Sequence, residues 1–280
     1  MVELLPKRKN MIEKKISQKA KNIKPSSTLA VNKKAMELVA TGEKIINLSV
    51  GEPDFDTPDF IKKSAINALN EGFTKYTDAS GIKPLRQAIC EKFKRDNNLA
   101  YEPDQIVVSC GAKHSLFNVL FALCDEGDQV IIPAPYWVSY PEMVKLAGGT
   151  PVICRYKDNF KMDIAHLQEI ISPKTKALIL NSPSNPTGIV YTKDELEHIA
   201  EIALKHQIVV ISDEVYEHLV YGGLKHTSIA FLNDEMKKLT VVVNGVSKTY
   251  AMTGWRIGYL AAELPLAKAI ANIQSQTTSN

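Results

Sequence analysis

From about Val107 onward, short runs of apolar, largely β-branched residues alternate with stretches whose apolar positions recur every three or four residues. The runs predict strands over 106–109, 130–132, 151–154, 177–180, 208–211, 241–243 and 259–261. The stretches between them predict helices over 113–124, 138–147, 164–171 and 194–205. Thr192, with Glu195 three residues later, has the form of a capping box ahead of the last helix. Strands that are apolar throughout must be buried on both faces. The pattern therefore predicts an α/β fold, a mostly parallel seven-stranded sheet with helices on both faces.

Upstream the pattern is weaker. Residues 7–24 are rich in lysine and predict an exposed, partly helical arm. A helical pattern over 29–39 is closed by Thr41-Gly42, and Ile45-Ile46-Asn47-Leu48 predicts a short strand. Gly51-Glu52-Pro53-Asp54-Phe55-Asp56-Thr57-Pro58 is a turn-rich loop. Thr57 ahead of Pro58 offers the N-cap and first-turn chemistry for a helix to about residue 69. The basic residues 1–10 lack the apolar centre of a signal peptide, and 1–12 is expected to be a disordered extension.

Composition narrows the class. The 280 residues are 45% hydrophobic and 23% charged, with a net charge of +3. That is ordinary for a soluble protein, and no basic stripe interleaved with aromatics points to nucleic acid. No apolar run reaches the roughly eighteen residues that a membrane span needs. Cys90, Cys110, Cys124 and Cys154 lack metal-ligand spacing, so reduced, buried thiols in a cytoplasmic protein are expected and no metal site is.

Ligands of open α/β sheets bind outside the carboxyl ends of the strands. Four groups follow four different predicted strands: Gly111-Ala112-Lys113, Asn185, Asp213 and Lys248. The residues around them carry a resemblance. Ser247-Lys248, followed by Thr253-Gly254-Trp255-Arg256-Ile257-Gly258-Tyr259, resembles the cofactor-lysine segment of fold-type I pyridoxal-phosphate enzymes, specifically the class I aminotransferases of the prokaryotic aspartate or aspartate/prephenate branch. Gly51 to Pro58 is similar to that family's GEPDFDTP segment. Asn181-Ser182-Pro183-Ser184-Asn185-Pro186-Thr187-Gly188 is similar to its NxPxNPTG element.

The resemblance implies roles. Lys248 would bond the cofactor's aldehyde and then move the proton of the reaction. Asp213 would hold the pyridine nitrogen protonated, while Tyr216 and Asn185 donate to the ring's O3′ oxygen. The phosphate would lie on Gly111, Ala112 and Lys113 at a helix start, with Arg256 and Ser247. The family often has a hydroxyl two residues before that serine, where this chain has Gly245, so one phosphate contact is expected to be missing. Trp137 would stack on the ring. Gly51, Trp137 and Asn185 would face the substrate. Lys113 and Thr28 would face a distal carboxylate, although Lys113 serving only the phosphate is an equal alternative. Tyr76, in Lys75-Tyr76, would reach the phosphate of a partner subunit, implying a homodimer.

The resemblance further implies an arm and part of a small domain over 13–55 and a large cofactor domain over 56–280. The rest of the small domain, on the order of a hundred residues that carry the arginine for the substrate α-carboxylate, is expected to be absent. The expected activity is amino-group exchange between an amino acid such as aspartate and 2-oxoglutarate. Alternatives are an aromatic or alanine aminotransferase, a C–S lyase, or a truncated remnant without turnover.

Overall fold

The computed structural model describes residues 12–157 and 159–279, so most of the predicted extension lies outside the described residues. The chain forms two compact units, Met1–Ser49 and Val50–Asn280. In the first, a 3-10 turn at Glu13–Lys15 precedes helices α1 (Gln18–Asn22) and α2 (Ser27–Ala40). Ser17 and Ser26 cap the two helices by accepting from the amides of Ala20 and Leu29. The predicted strand at 45–48 is not formed; the segment is irregular. Two adjacent isoleucines carry β propensity, but a strand needs a ladder partner, and among the described residues none pairs with it. Asn47 instead donates to Asn32 Oδ1 and accepts from the Ser49 amide.

The second unit opens with α3 (Asp59–Asn70) and α4 (Lys83–Asn97), then alternates strands and helices. These are β1 (Ile106–Ser109), α5 (Ala112–Leu123), β2 (Gln129–Pro133), α6 (Ser139–Leu146), β3 (Thr150–Cys154), α7 (Ile164–Ile170), β4 (Thr175–Asn181) and α8 (Lys193–His206). There follow β5 (Val209–Asp213), α9 (Asp234–Lys238), β6 (Thr240–Gly245), β7 (Gly258–Ala261) and α10 (Leu264–Thr277). All seven predicted strands are present, in the spatial order β1-β7-β6-β5-β4-β2-β3. Six of the seven run in the same direction; β7 alone is reversed, antiparallel to both of its neighbours, β1 and β6. Thr192 and Glu195 make both bonds of the predicted capping box.

Successive strand residues feed opposite faces, as pleating requires. Val241 and Val243 pack with Leu116 and Leu120 of α5, Val144 of α6 and Ile270 of α10. Val242 packs with Ile89 and Phe93 of α4. Leu178, Leu180 and Val210 pack with Leu167 of α7 and Leu196 and Ile199 of α8. The sheet is thus covered on both faces.

Two expectations change. Thr57 does not cap α3; the N-cap is Pro58, without a side-chain bond. The Thr57 hydroxyl donates instead to Ala251 O at 2.5 Å and accepts from Trp255 Nε1 at 3.0 Å, a tertiary use that outcompetes the local one. The four thiols are all free, but only Cys124 and Cys154 are buried; Cys90 is half-buried and Cys110 exposed. Cys110 lies between the end of β1 and the start of α5, where the chain emerges from the sheet.

Candidate active site

The site follows from the reversal between β6 and β7. The chain leaves β6 at Gly245, loops through 246–257 and returns antiparallel, so that Gly245 pairs with Gly258. Gly258 also pairs with Ser109 at the end of β1. The loop carrying Lys248 and Arg256 is therefore held beside the start of α5. The approach leaves no room for side chains. A Cβ on Gly258 would lie 2.1 Å from the Ala112 nitrogen, and one on Gly111 would lie 2.2 Å from Arg256 Nη2. Gly111 has φ +83°, where a side chain is strained in any case.

This corner is a cradle for an anion. The first amides of α5 have no carbonyl one turn earlier to bond, and the helix dipole adds positive potential there. The guanidinium of Arg256 lies directly over Gly111, fixed by a 2.7 Å bond from Nη1 to Thr253 O. Lys113 is exposed at the same helix start, its pKa lowered by partial burial and by the charge of Arg256. Its Nζ lies 4.7 Å from the centre of the Trp137 ring. Ser247 is half-buried beside Lys248. At Gly245 a Cβ would come within 3.1 Å of Ile257 O and 3.2 Å of Gly258 Cα, so the strand pairing disfavours a side chain there.

Asp213 ends β5 at 4% exposure. Tyr140 of α6 donates its hydroxyl to Asp213 Oδ2 at 2.6 Å. Burial pushes the Asp213 carboxyl up to about 6, with the neighbouring Glu214 charge adding to that and the bonds from Tyr140 and the Val215 amide opposing it. Asn181 donates to Asp213 O at 2.9 Å and accepts from the Asn185 amide at 2.7 Å, so it locks the Asn185 loop to the end of β5. Asn185 Nδ2 reaches the Tyr216 hydroxyl at 3.5 Å. Burial and the Asp213 charge raise the Tyr216 pKa, against the Asn185 bond.

Lys248 is half-buried, and its ammonium donates to the carbonyl of Gly51. It lies 5.7 Å from the centre of the Tyr216 ring. Desolvation lowers its pKa and the Arg256 charge lowers it further, while Glu52 opposes both. The loop over 51–57 is clasped to the lysine loop by the Thr57 bonds and by Thr253 donating to Glu52 at 3.2 Å.

One constellation thus includes Gly51, Gly111, Lys113, Trp137, Asn185, Asp213, Tyr216, Lys248 and Arg256. Tyr76 stands 87% exposed, and among the described residues no hydrogen bond or ring contact of the site involves it. Thr28 lies in the first turn of α2, in the other unit. Sequence reasoning missed Tyr140, Asn181 and Thr57 as supporting groups. Tyr140 lies one helical turn beyond Trp137, a spacing that could have signalled it.

Residues 43–280 match the family model "Aminotransferase class I and II", and the chain belongs to that family. The aspartate aminotransferase of Bacillus subtilis is 51% identical over 268 residues, which are 95% of this chain and 68% of that protein. The "probable aspartate/prephenate aminotransferase" of Rickettsia conorii is 54% identical, over 95% of this chain and 67% of its own length. The structure of Thermus thermophilus aspartate aminotransferase with maleate superposes with a TM-score of 0.90 at 46% identity, covering 94% of this chain and 68% of that one. The fold is accordingly fold type I, and the family's cofactor is pyridoxal phosphate. The residues present fit that group: an anion cradle that a Cβ at Gly111 would fill, a buried carboxylate, and a lysine of lowered pKa.

Proposed function

We propose that this aminotransferase exchanges the amino group of aspartate with 2-oxoglutarate, with Lys248 as its central residue. The observation that carries the reading is the convergence of Lys248, Asp213 and the Gly111–Arg256 cradle at the carboxyl edge of one sheet. Bound pyridoxal phosphate supplies an aldehyde that accepts amino groups and a ring that draws electrons from the substrate Cα. Arg256, Ser247, Lys113 and the first amides of α5, at Ala112 and Lys113, would hold the phosphate, with Gly111 leaving room for its approach. Asp213, held by Tyr140, would pair with the ring nitrogen, whose positive charge would favour the carboxylate form and offset the desolvation. Tyr216 and Asn185 would donate to the phenolic oxygen, and Trp137 would cover the ring.

Lys248 would hold the aldehyde, and its amine, released when the substrate's amino group takes its place, would take and return the Cα proton. Desolvation and the Arg256 charge lower its pKa, which favours the neutral, basic amine relative to a solvated lysine. Gly51 O, Trp137 and Asn185 border the substrate. Lys113 would supply the positive charge that selects a distal carboxylate. The aspartate aminotransferases among the relatives support that substrate class. Exposed apolar residues of and near α3, including Phe60, Ile66, Leu69 and Phe73 at 54–69% exposure, support a homodimer in which Tyr76 reaches the partner's site. No helix among the described residues is long and apolar enough to cross a membrane, in keeping with a cytoplasmic enzyme.

The test is a half-reaction. Aspartate added to the cofactor-loaded protein should convert the absorbance of the lysine-bound cofactor to that of the amino form. No conversion with any amino acid would overturn the reading. Lys113→Ser should raise KM for aspartate at least tenfold more than KM for a neutral amino acid. Equal losses would return Lys113 to the phosphate alone.

A further inference from the structure

Glu217 follows Tyr216 in the turn beyond β5, its side chain 3% exposed. Its Oε1 accepts from the ammonium of Lys92, on α4, and from Asn244 Nδ2 at 2.7 Å. Its Oε2 accepts from Asn97 Nδ2 at 2.8 Å, and Asn97 Oδ1 in turn accepts from Lys92 at 2.7 Å. Asn244 is the penultimate residue of β6, 1% exposed, and its Oδ1 accepts from the Gly245 amide at 2.7 Å. The other charged or titratable groups facing this cluster include Asp96, 4.0 Å from Lys92, His218, 3.5 Å from Glu217 Oε1, and Tyr259, paired with Asn244 from β7, whose pKa burial and the Glu217 charge raise. Glu214, Glu217 and His226 also bring ligand-type atoms within 4.8 Å of one another, but the Lys92 ammonium already stands as the cation on Glu217.

A buried ion pair contributes little net stability, because desolvation offsets the attraction; what it can fix is geometry. Here the geometry in question is the gap across the active site. The ladder between β5 and β6 ends at the Asp213–Val243 pair, with one further bond from the Glu214 amide to Val243 O. Beyond it the two chains separate, one carrying Tyr216 and the other carrying Lys248. The Glu217–Asn244 bond is the link that continues across this gap, and Lys92 and Asn97 hold Glu217 in place from the helix behind.

We infer that Glu217 and Asn244 are positioning residues for transamination, fixing the Lys248 loop against the Tyr216 turn through a carboxylate that Lys92 neutralises. The inference rests on the assignment of Lys248, which borohydride labelling of the wild type tests separately. Asn244→Ala cuts the link without leaving a buried charge unpaired. Asn97→Ala removes a bond to the same carboxylate but leaves the link to β6 intact. Both variants should lower Tm.

Only Asn244→Ala should move the midpoint pH of the lysine-bound cofactor's absorbance, by half a pH unit or more. Only it should weaken pyridoxal-phosphate affinity and lower kcat, each about tenfold, with KM within about twofold, since small misplacement of reacting groups is costly. Equal Tm losses with unchanged absorbance midpoint, affinity and kcat would overturn the inference. So would equal changes in both variants. Should Asn244→Ala not fold, Asn244→Ser takes its place under the same criteria.

Discussion

Asp213 is a carboxyl group whose environment works against its charge. Its folded-state value of about 6 lies above the ordinary 3.8, the reverse of a carboxylate stabilised by a partner. The folded chain therefore binds the proton more tightly than the unfolded chain does. Asp213's contribution is most favourable below the unfolded value and is lost as pH rises through the window from 3.8 to about 6. A gap of roughly two pH units between the folded and unfolded chains is worth about 3 kcal/mol. Asp96, Glu195 and Glu214 are held below their ordinary values and drive the opposite trend. The measurable quantity is thus the difference between wild type and Asp213→Asn in the cofactor-free protein. Denaturant titrations should show the wild type losing stability relative to the variant across this window, and a constant difference would refute the assignment. Asp213→Asn should also cut turnover by at least a hundredfold, because the ring loses its counter-charge. At Lys248, substitution by Ala should abolish borohydride labelling and turnover. Measurable cofactor binding should survive through Arg256 and the start of α5.

Two glycines at the junction of β7 and α5 are predicted to fail differently. A Cβ at Gly258 would meet main-chain atoms of Gly111 and Ala112 that cannot retreat without moving β7 or α5. Gly258→Ala should therefore cost at least about 3 kcal/mol, the upper end of ordinary overpacking. A Cβ at Gly111 would meet the end of the Arg256 side chain, which can swing away. Gly111→Ala should still fold, with a loss of about 1–3 kcal/mol from its positive-φ backbone, while losing pyridoxal-phosphate affinity at least tenfold. Thermal melts and cofactor titrations of the two variants separate these outcomes. The elements themselves were unevenly visible in the sequence. The strands stood out because burial on both faces makes them continuously apolar. Helix α4 was not marked, since only Ile89, Lys92, Phe93 and Asn97 of its fifteen residues are buried and two of those are polar. Helix α10 likewise lies outside the elements expected from the sequence.

For the whole molecule, the homodimer reading predicts a dimer by sedimentation, converted to monomer by charge on α3, as in Ile66→Glu with Leu69→Glu. A monomeric wild type at assay concentration would remove Tyr76 from the site. The sequence by itself determined the strand count, the mostly parallel sheet and which groups follow which strands, because periodicity and β-branching report burial locally. It also nominated Lys248, Asp213, Asn185 and Arg256, through their positions after strands and the resemblance of the short segments around them to one family. Only the tertiary structure decided what joins them. The antiparallel return of β7 sets Arg256 over Gly111, Tyr140 crosses from α6 to Asp213, and Lys92 crosses from α4 to Glu217. Thr57 shows the same limit, since a local reading offers it as a helix cap and a contact with Ala251, 194 residues away, takes its hydroxyl instead. Contacts between residues distant in the chain depend on strand order and loop closure, and neither leaves a periodic trace in the residues that make them.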